Sequence, residues 1–113
     1  MMAADLVNRF AVLREVLSDD RYTDVDIARL IELCCELDIE AGDVLIAESM
    51  QCDERFVVVE GRLEITEQTG RRWVSIAGTM LDPTNGNDEG RSVVLAVALG
   101  PTTVLAIRRS ALA

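Results

Sequence analysis

The stretch from Leu37 to Gly78 constrains the fold most, because it holds the densest strand and turn signals in the sequence. A turn at 41–43, Ala-Gly-Asp, separates two short apolar runs, and a polar loop at 48–54 follows. The next segment, 56–66, predicts one strand that carries a single internal glycine, Gly61. These closely spaced signals predict an antiparallel β-roll.

The residues that follow this glycine alternate in character. Leu63 and Ile65 fall on one face of the predicted strand, whereas Glu64 and Thr66 fall on the other. This period of two is typical of a half-buried strand, so one face belongs to the core.

Two further turns predict hairpins. Thr69-Gly70 would turn the preceding strand into a strand at 71–76. Gly100-Pro101 would join strands at 91–99 and 102–107, and this second hairpin would close the roll.

The strand at 91–99 has two apolar faces of different size. Its odd-numbered positions from Val93 to Leu99 are large, and its even-numbered positions from Val94 to Ala98 are smaller. We expect the large set to lie in the core and the small set to admit a ligand or a close neighbour. The predicted core of the roll is Leu45, Val57, Val59, Leu63, Ile65, Val93, Leu95, Val97, Leu105 and Ile107.

The N-terminal part predicts two amphipathic helices. Apolar residues with helical spacing mark the first: Leu6, Phe10, Leu13 and Leu17. Thr23 with Asp26 is close to a capping box, and the apolar stripe of the second helix then runs as far as Leu37.

The central stretch resembles the cyclic nucleotide-binding domain family. The family's turn A-G-[ED]-x-[IL]-[IF] is matched at 41–46, and its E-G pair by Glu48-Ser49, with serine in place of glycine. Its pattern D-x-[LF]-[YF]-V-[IV]-x-x-G-x-[LV]-x-[IV] is matched at 53–65. The resemblance implies a mainly β, α+β fold, in which two N-terminal helices pack on an antiparallel, cupin-like double-stranded jelly roll.

The resemblance also implies a domain organisation. We expect one domain over 1–113, with a helical part at 1–37 and the roll at 38–109. The family packs such helices outside the roll, where they relay ligand binding or form subunit contacts. That both helices simply cover the roll is the other interpretation. The residues from Arg108 onward resemble the start of the family's C-terminal helix.

The segment from Gly78 to Ser92 corresponds to the family's phosphate-binding cassette. There, backbone amides at a helix N-terminus and an arginine bind the cyclic phosphate, and a glutamate binds the ribose. In this sequence Asp82-Pro83 replace the expected Gly-Glu, and the following loop is shorter. The candidate residues of this degenerate ligand site are Asp82, Gly90, Arg91 and Ser92.

Composition argues against several functions. A net charge of −9 disfavours binding to a nucleic acid polymer, because carboxylates repel phosphates. The sequence has no histidine, so a cupin-type metal centre would lack its imidazole ligands. It also has no acid pair at a fixed spacing and no nucleophile beside a base. We therefore expect no catalysis, no metal and no cofactor.

Charged residues interrupt every apolar run before the roughly 18 residues that a membrane span needs. The N-terminus lacks a basic region ahead of an apolar run, so a signal peptide is not expected. We predict a cytoplasmic protein.

Three cysteines do not predict a disulfide framework. Cys34 and Cys35 are adjacent and could not bridge each other without strain. Cys34 is interpreted as a small buried apolar residue, and Cys52, in a polar loop, as an exposed thiol.

Two functions remain open. The first is a non-catalytic regulatory or protein-interaction module that does not bind cyclic AMP or cyclic GMP in the usual way. The second is a small-molecule sensor, in which Arg91 meets a cyclic nucleotide or other anion and Asp82 substitutes for the glutamate. The expected partners are a second copy of the chain or another protein, with a cyclic nucleotide bound weakly at most. An oligomer built on the first helix would dissociate on replacing Phe10 by Asp.

Overall fold

The computed structural model describes residues 6–18 and 21–112, with only the backbone of Leu6 and Val7. The described chain contains two helices, α1 (Leu6–Val16) and α2 (Asp24–Leu33), and a closing 3₁₀ helix (Arg109–Leu112). Its strands are β1 (Cys35–Ile39), β2 (Val44–Ile46), β3 (Glu54–Glu60), β4 (Arg62–Glu67), β5 (Arg72–Ile76), β6 (Met80–Leu81), β7 (Val94–Ala98) and β8 (Thr102–Arg108).

The strands form two four-stranded antiparallel sheets. We call the sheet with strand order β1-β8-β3-β6 the covered sheet, and the sheet with order β2-β7-β4-β5 the open sheet. The two sheets face each other with the arrangement of a jelly roll. The predicted fold class, two helices followed by an antiparallel β-roll, is therefore confirmed.

At Gly61 the chain turns a corner from one sheet into the other. β3 ends at Glu60 in the covered sheet, and β4 begins at Arg62 in the open sheet, so the prediction of one continuous strand is wrong. Gly61 has a φ of +88°, and a Cβ at this position would lie 2.5 Å from the carbonyl oxygen of Pro101. Backbone conformation and the close approach of a second chain segment both require glycine here.

The predicted hairpin between β7 and β8 is wrong for a related reason. β7 lies in the open sheet and β8 in the covered sheet, and the chain crosses between them at 99–101. The Leu99 amide donates to the Arg62 carbonyl at 3.0 Å, so this second corner lies directly beside Gly61. The hairpin at Thr69-Gly70 is confirmed, since β4 and β5 pair in register across it.

The second helix is shorter than predicted. Its N-terminal capping box is present, but the helix ends at Leu33, and Leu37 lies on β1. Cys34 already has an extended backbone with ψ of 157°. Pairing of β1 with β8 supplies backbone hydrogen bonds and places Leu37 against the roll interior, which overrides the helical spacing.

The roll interior contains the first hydrophobic cluster. Leu63 and Ile65 are buried there, as the alternation in β4 predicts. In β7 the small set points inward, with Ala96 and Ala98 buried. The prediction that Leu95 and Val97 are core residues is therefore wrong, because they are only partly buried and lie on the outer face. Val93 and Leu45 are also partly buried, but they pack against the interior cluster as predicted. Small residues on β7 allow the two sheets to approach closely, which fits the alternative of a close neighbour.

The second hydrophobic cluster lies between the helices and the covered sheet. Four predicted core residues, Val57, Val59, Leu105 and Ile107, are buried, but against the helices rather than inside the roll. Leu13 and Ile27 reach this cluster from α1 and α2. Both helices thus cover the roll, and Phe10 packs half-buried at the edge of the cluster. Within the described residues, no helix is long and apolar enough to cross a membrane.

Candidate functional site

The segment at 82–92 folds as consecutive turns. The Asn85 amide donates to the Asp82 carbonyl at 3.1 Å, and the Asn87 amide donates to the Thr84 carbonyl at 3.1 Å. Asn85 has a φ of +50°, a left-handed conformation that asparagine tolerates. The segment is described throughout and contains no helix. The short helix of the family's cassette therefore has no counterpart here.

Side chains within the segment bind its remaining amides. The Asp82 carboxylate accepts from the Thr84 amide at 3.1 Å. The Thr84 hydroxyl accepts from the Gly86 amide at 3.2 Å, and the Asn87 side-chain oxygen accepts from the Gly90 amide at 2.9 Å. These Asx- and Ser/Thr-type turns direct the N–H groups into the segment itself.

Asp82 is held by two arginines, one from β3 and one from the 3₁₀ helix. The Arg109 guanidinium donates to its carboxylate at 3.0 Å, and Arg55 Nε lies 3.5 Å from its second oxygen. The Thr84 hydroxyl donates to the same carboxylate at 2.9 Å. Arg55 alternates with Phe56, which faces the roll interior, so Arg55 projects on the outer side of the covered sheet. The ion pairs with Arg55 and Arg109 therefore hold the Asp82 carboxylate on the outer side of the covered sheet, at the start of the 3₁₀ helix.

Arg91 lies on the other side of the segment and is exposed. Its guanidinium donates to the Ser49 carbonyl at 3.0 Å, and its backbone forms an isolated bridge with Gln51. The Gly90 carbonyl accepts from the Cys52 amide at 2.7 Å. These contacts fix the end of the segment to the polar loop at 48–54.

Ser92 is 1% exposed and belongs to the interior of the segment. Its hydroxyl donates to the Val94 carbonyl at 2.7 Å and accepts from the Val94 amide at 3.2 Å. Thr84 is 0% exposed, so both hydroxyls are enclosed by the segment that contains them. Satisfied hydroxyls of this kind stabilise the loop.

A cavity of about 290 Å³ opens between β5, β6 and this segment. Its walls are formed by Glu67, Trp73, Val74, Ser75, Thr79, Met80, Leu81, Asp82, Asn85, Val93 and Val94. No arginine lines it, and Glu67 and Asp82 are its ionisable residues. The volume is near the lower limit of the range of about 300–1,000 Å³ found for ligand pockets.

The four predicted site residues do not all line this cavity. Asp82 contributes to the cavity wall, whereas Gly90, Arg91 and Ser92 do not. Trp73 also lines the cavity but was not among the predicted site residues, because a lone aromatic residue on a strand indicates core or sheet-face packing. It pairs with Ile65 across the β4–β5 hairpin and therefore points inward, which agrees with that interpretation. The hairpin register was the signal that could have placed it. The Arg71 guanidinium lies over the Trp73 ring at 5.2 Å, and Arg71 is also 3.8 Å from Glu67.

All three cysteines are free thiols. The prediction that Cys52 is exposed is wrong, since it is 7% exposed and packs in the roll interior. Burial raises the pKa of the Cys52 thiol, and burial likewise raises the pKa of Cys34, which is partly buried beside α2. The described residues include no cluster of acidic or cysteine side chains that could hold a metal ion.

The sheets, the helices and the position of the 82–92 segment together define a cyclic nucleotide-binding-like fold, and solved structures share it. The regulatory domain of Toxoplasma gondii protein kinase A, crystallised with cyclic AMP, superposes with a TM-score of 0.78 at 16% identity, over 93% of this chain and 42% of that one. A cyclic nucleotide-binding-like protein from Brucella abortus gives a TM-score of 0.72 at 22% identity, over 93% and 94% of the two chains.

A third solved structure is the regulatory subunit of a cAMP-independent protein kinase A from Trypanosoma brucei. Its TM-score is 0.72 at 14% identity, and the match covers 91% of this chain and 40% of that one. This chain thus spans less than half of either kinase A chain. No protein-family model and no curated protein sequence matches the chain.

Proposed function

We propose that this chain is a non-catalytic regulatory or protein-interaction module with a cyclic nucleotide-binding-like roll that does not bind cyclic AMP or cyclic GMP in the usual way. The module acts in the cytoplasm and recognises protein rather than a cyclic nucleotide. The structures that share its fold include both a cyclic AMP complex and a cAMP-independent subunit, so whether this chain binds a cyclic nucleotide depends on its own residues and not on the fold.

One observation carries the proposal: the backbone amides that would bind a phosphate already donate hydrogen bonds within the 82–92 segment. Between Thr84 and Gly90, five backbone amides donate to oxygens of the 82–92 segment, namely those of Thr84, Asn85, Gly86, Asn87 and Gly90. The remaining two belong to Asp88 and Glu89, whose carboxylates would repel a phosphate. Pro83, at the position of the family's glutamate, has no N–H and no charge.

Among the described residues no cationic side chain lines the cavity, so it offers no positive charge to an anionic ligand. Glu67 and Asp82 line it, and the Arg91 guanidinium is bonded to the Ser49 carbonyl outside it. Hydrogen bonds to charged groups contribute about 1.5–3 kcal/mol each. Relative to a domain with the family's complete cassette, loss of the glutamate and of the amide cluster should together weaken nucleotide binding about a hundredfold or more, since each 1.4 kcal/mol is a factor of ten.

A sensor of a small anion is the second candidate, and the exposure of Arg91 favours it. The guanidinium is exposed and its hydrogen bond is to a single loop carbonyl, so a ligand could compete for it. In this alternative Arg91 would supply the positive charge and Asp82 would replace the ribose-binding glutamate.

Calorimetric titration of the chain with cyclic AMP and cyclic GMP distinguishes the two candidates. We expect no saturable heat at micromolar nucleotide, and no difference between the wild type and Arg91→Ala. Low-micromolar binding that disappears in Arg91→Ala would contradict the interaction module and support the sensor. Arg108→Ala, at an exposed arginine outside the segment, is the matched control for the loss of a positive charge.

A further inference from the structure

The outer face of the open sheet carries several exposed apolar residues. Seven large hydrophobic residues are exposed among the described residues, and four of them lie on this face: Val44, Val74, Ile76 and Leu99. Val74 and Ile76 are 45% and 53% exposed. Neither hydrophobic cluster includes them, because one cluster fills the roll interior and the other lies under the helices. Exposed apolar patches on one face mark interaction sites.

The strand register arranges this face in rows. One row crosses the sheet as Val44, Val97, Glu64 and Val74. The next row along β4 consists of Leu99, Arg62 and Ile76. Each row is thus apolar at its sides and carries one charge on the central strand β4.

The two central charges are opposite in sign and have no ion-pair partner within residues 6–18 and 21–112. Arg62 is exposed and Glu64 is half-buried. Both side chains therefore remain available to a binding partner that offers the complementary pattern.

We propose that this face binds the same face of a second copy of the chain. The two-fold axis would lie between the stacked sheets, perpendicular to the strands, at the level of Leu63. Because of this rotation, β4 of the second copy runs antiparallel to β4 of the first. The row that contains Glu64 in one copy then faces the row that contains Arg62 in the other. The stacked pairs are Glu64 over Arg62, Val74 over Ile76, and Val97 over Leu99. This interface lies beyond the proposed function and does not depend on nucleotide binding.

Other face-to-face registers do not match charge and apolar surface in this way. An axis parallel to β4 and directly over it stacks Arg62 on Arg62 and Glu64 on Glu64, and a parallel axis between β4 and β7 stacks both charges on apolar residues, Val97 and Leu99. An axis perpendicular to the strands at the level of Glu64 stacks that carboxylate on its own copy. Like charges placed opposite each other cost several kcal/mol, and the axis at Leu63 is the register that places Arg62 opposite Glu64. Stacked sheets are separated by about 10 Å, which long Arg and Glu side chains bridge.

Sedimentation equilibrium with charge-swap variants tests the interface. We expect the wild type to dimerise, and Glu64→Arg to raise the dimer Kd about a hundredfold, because it places two positive charges opposite each other at both symmetric contacts. The double variant Arg62→Glu/Glu64→Arg should restore dimerisation, since it exchanges the signs of every stacked pair.

Glu32→Arg is the matched control, because it makes the same charge change at an exposed position on α2, which packs on the covered sheet. It should dimerise like the wild type. A wild type that stays monomeric at millimolar concentration would overturn the proposal, as would a dimer that Glu64→Arg leaves intact. The latter result would indicate edge-strand pairing or the α1 surface instead. Circular dichroism of each variant shows whether it remains folded.

Discussion

At the scale of single residues, Asp82 shows how a predicted ligand-binding side chain can serve the fold instead. Its carboxylate joins β6, the 82–92 segment and the 3₁₀ helix through Thr84 and Arg109. The two arginines come from positions 27 residues away on either side in sequence, at Arg55 and Arg109. No local pattern connects these three positions, so the ion-pair cluster was not predictable from the sequence.

Asp82→Ala should destabilise the protein by about 2 kcal/mol, because hydrogen bonds to a charged group contribute about 1.5–3 kcal/mol and the Asp82 side chain is 22% exposed. Urea unfolding followed by circular dichroism measures the change. Asp88→Ala, at an exposed position in the same segment, removes the same charge and should change stability by less than about 0.5 kcal/mol. Equal effects of the two substitutions would show that the Asp82 contacts contribute nothing to stability.

At the scale of the elements, the two corners decide how the strands divide between the sheets. Sequence alternation predicted β4 and its buried face, because a strand with one apolar face can be oriented only one way. β7 is apolar on both faces, so alternation could not decide which face points inward. The strand breaks at Gly61 and at 99–101 depend on contact between two distant segments, which the local sequence does not reveal.

Replacing Gly61 by Ala should destabilise the roll by several kcal/mol. The new Cβ would lie 2.5 Å from the Pro101 carbonyl oxygen and 2.7 Å from the Thr102 Cα, which are backbone atoms that cannot move independently. Gly42→Ala is the control, because Gly42 has a similar φ of +86° and a Cβ there would meet nothing within 4 Å. That control should cost only the left-handed backbone strain of about 1–2 kcal/mol.

Thermal unfolding of both variants measures the difference. If the melting temperatures of Gly61→Ala and Gly42→Ala fell equally, the close approach of the two corners would be refuted.

The start of α2 provides a pH-dependent element. The Thr23 amide and side chain hydrogen-bond to Asp26, and these bonds lower the pKa of the Asp26 carboxyl from its ordinary value of 3.8. A lowered pKa in the folded state means that the carboxylate stabilises the helix above pH 3.8, and that this contribution is lost as the pH falls through the lowered pKa.

Asp26→Asn should therefore be less stable than the wild type near neutral pH, with the difference shrinking below pH 3.8. Urea unfolding at several pH values measures this difference. If the difference in unfolding free energy between the wild type and Asp26→Asn stayed constant down to pH 2, the role assigned to the ionised carboxylate would be contradicted.

At the scale of the whole molecule, the fold was more predictable than the function. Turn glycines, alternation in β4 and the helical stripes were sufficient for two helices on a β-roll, since each reports a local preference. The replacement of Gly-Glu by Asp82-Pro83 also indicated an altered cassette. What the sequence could not predict is the use of the segment's amides within its own turns, because this depends on the backbone conformation of 82–90.

The central claim is that these amides are unavailable to a cyclic phosphate, and amide chemical shifts test it most directly. Proton–nitrogen correlation spectra of the labelled chain would be recorded with and without millimolar cyclic AMP, using inorganic phosphate at equal ionic strength as the control. We predict that the amides of Asn85, Gly86, Asn87 and Gly90 keep their positions. Saturable shifts of these amides with cyclic AMP, absent with phosphate, would contradict the account and identify the segment as a working nucleotide site.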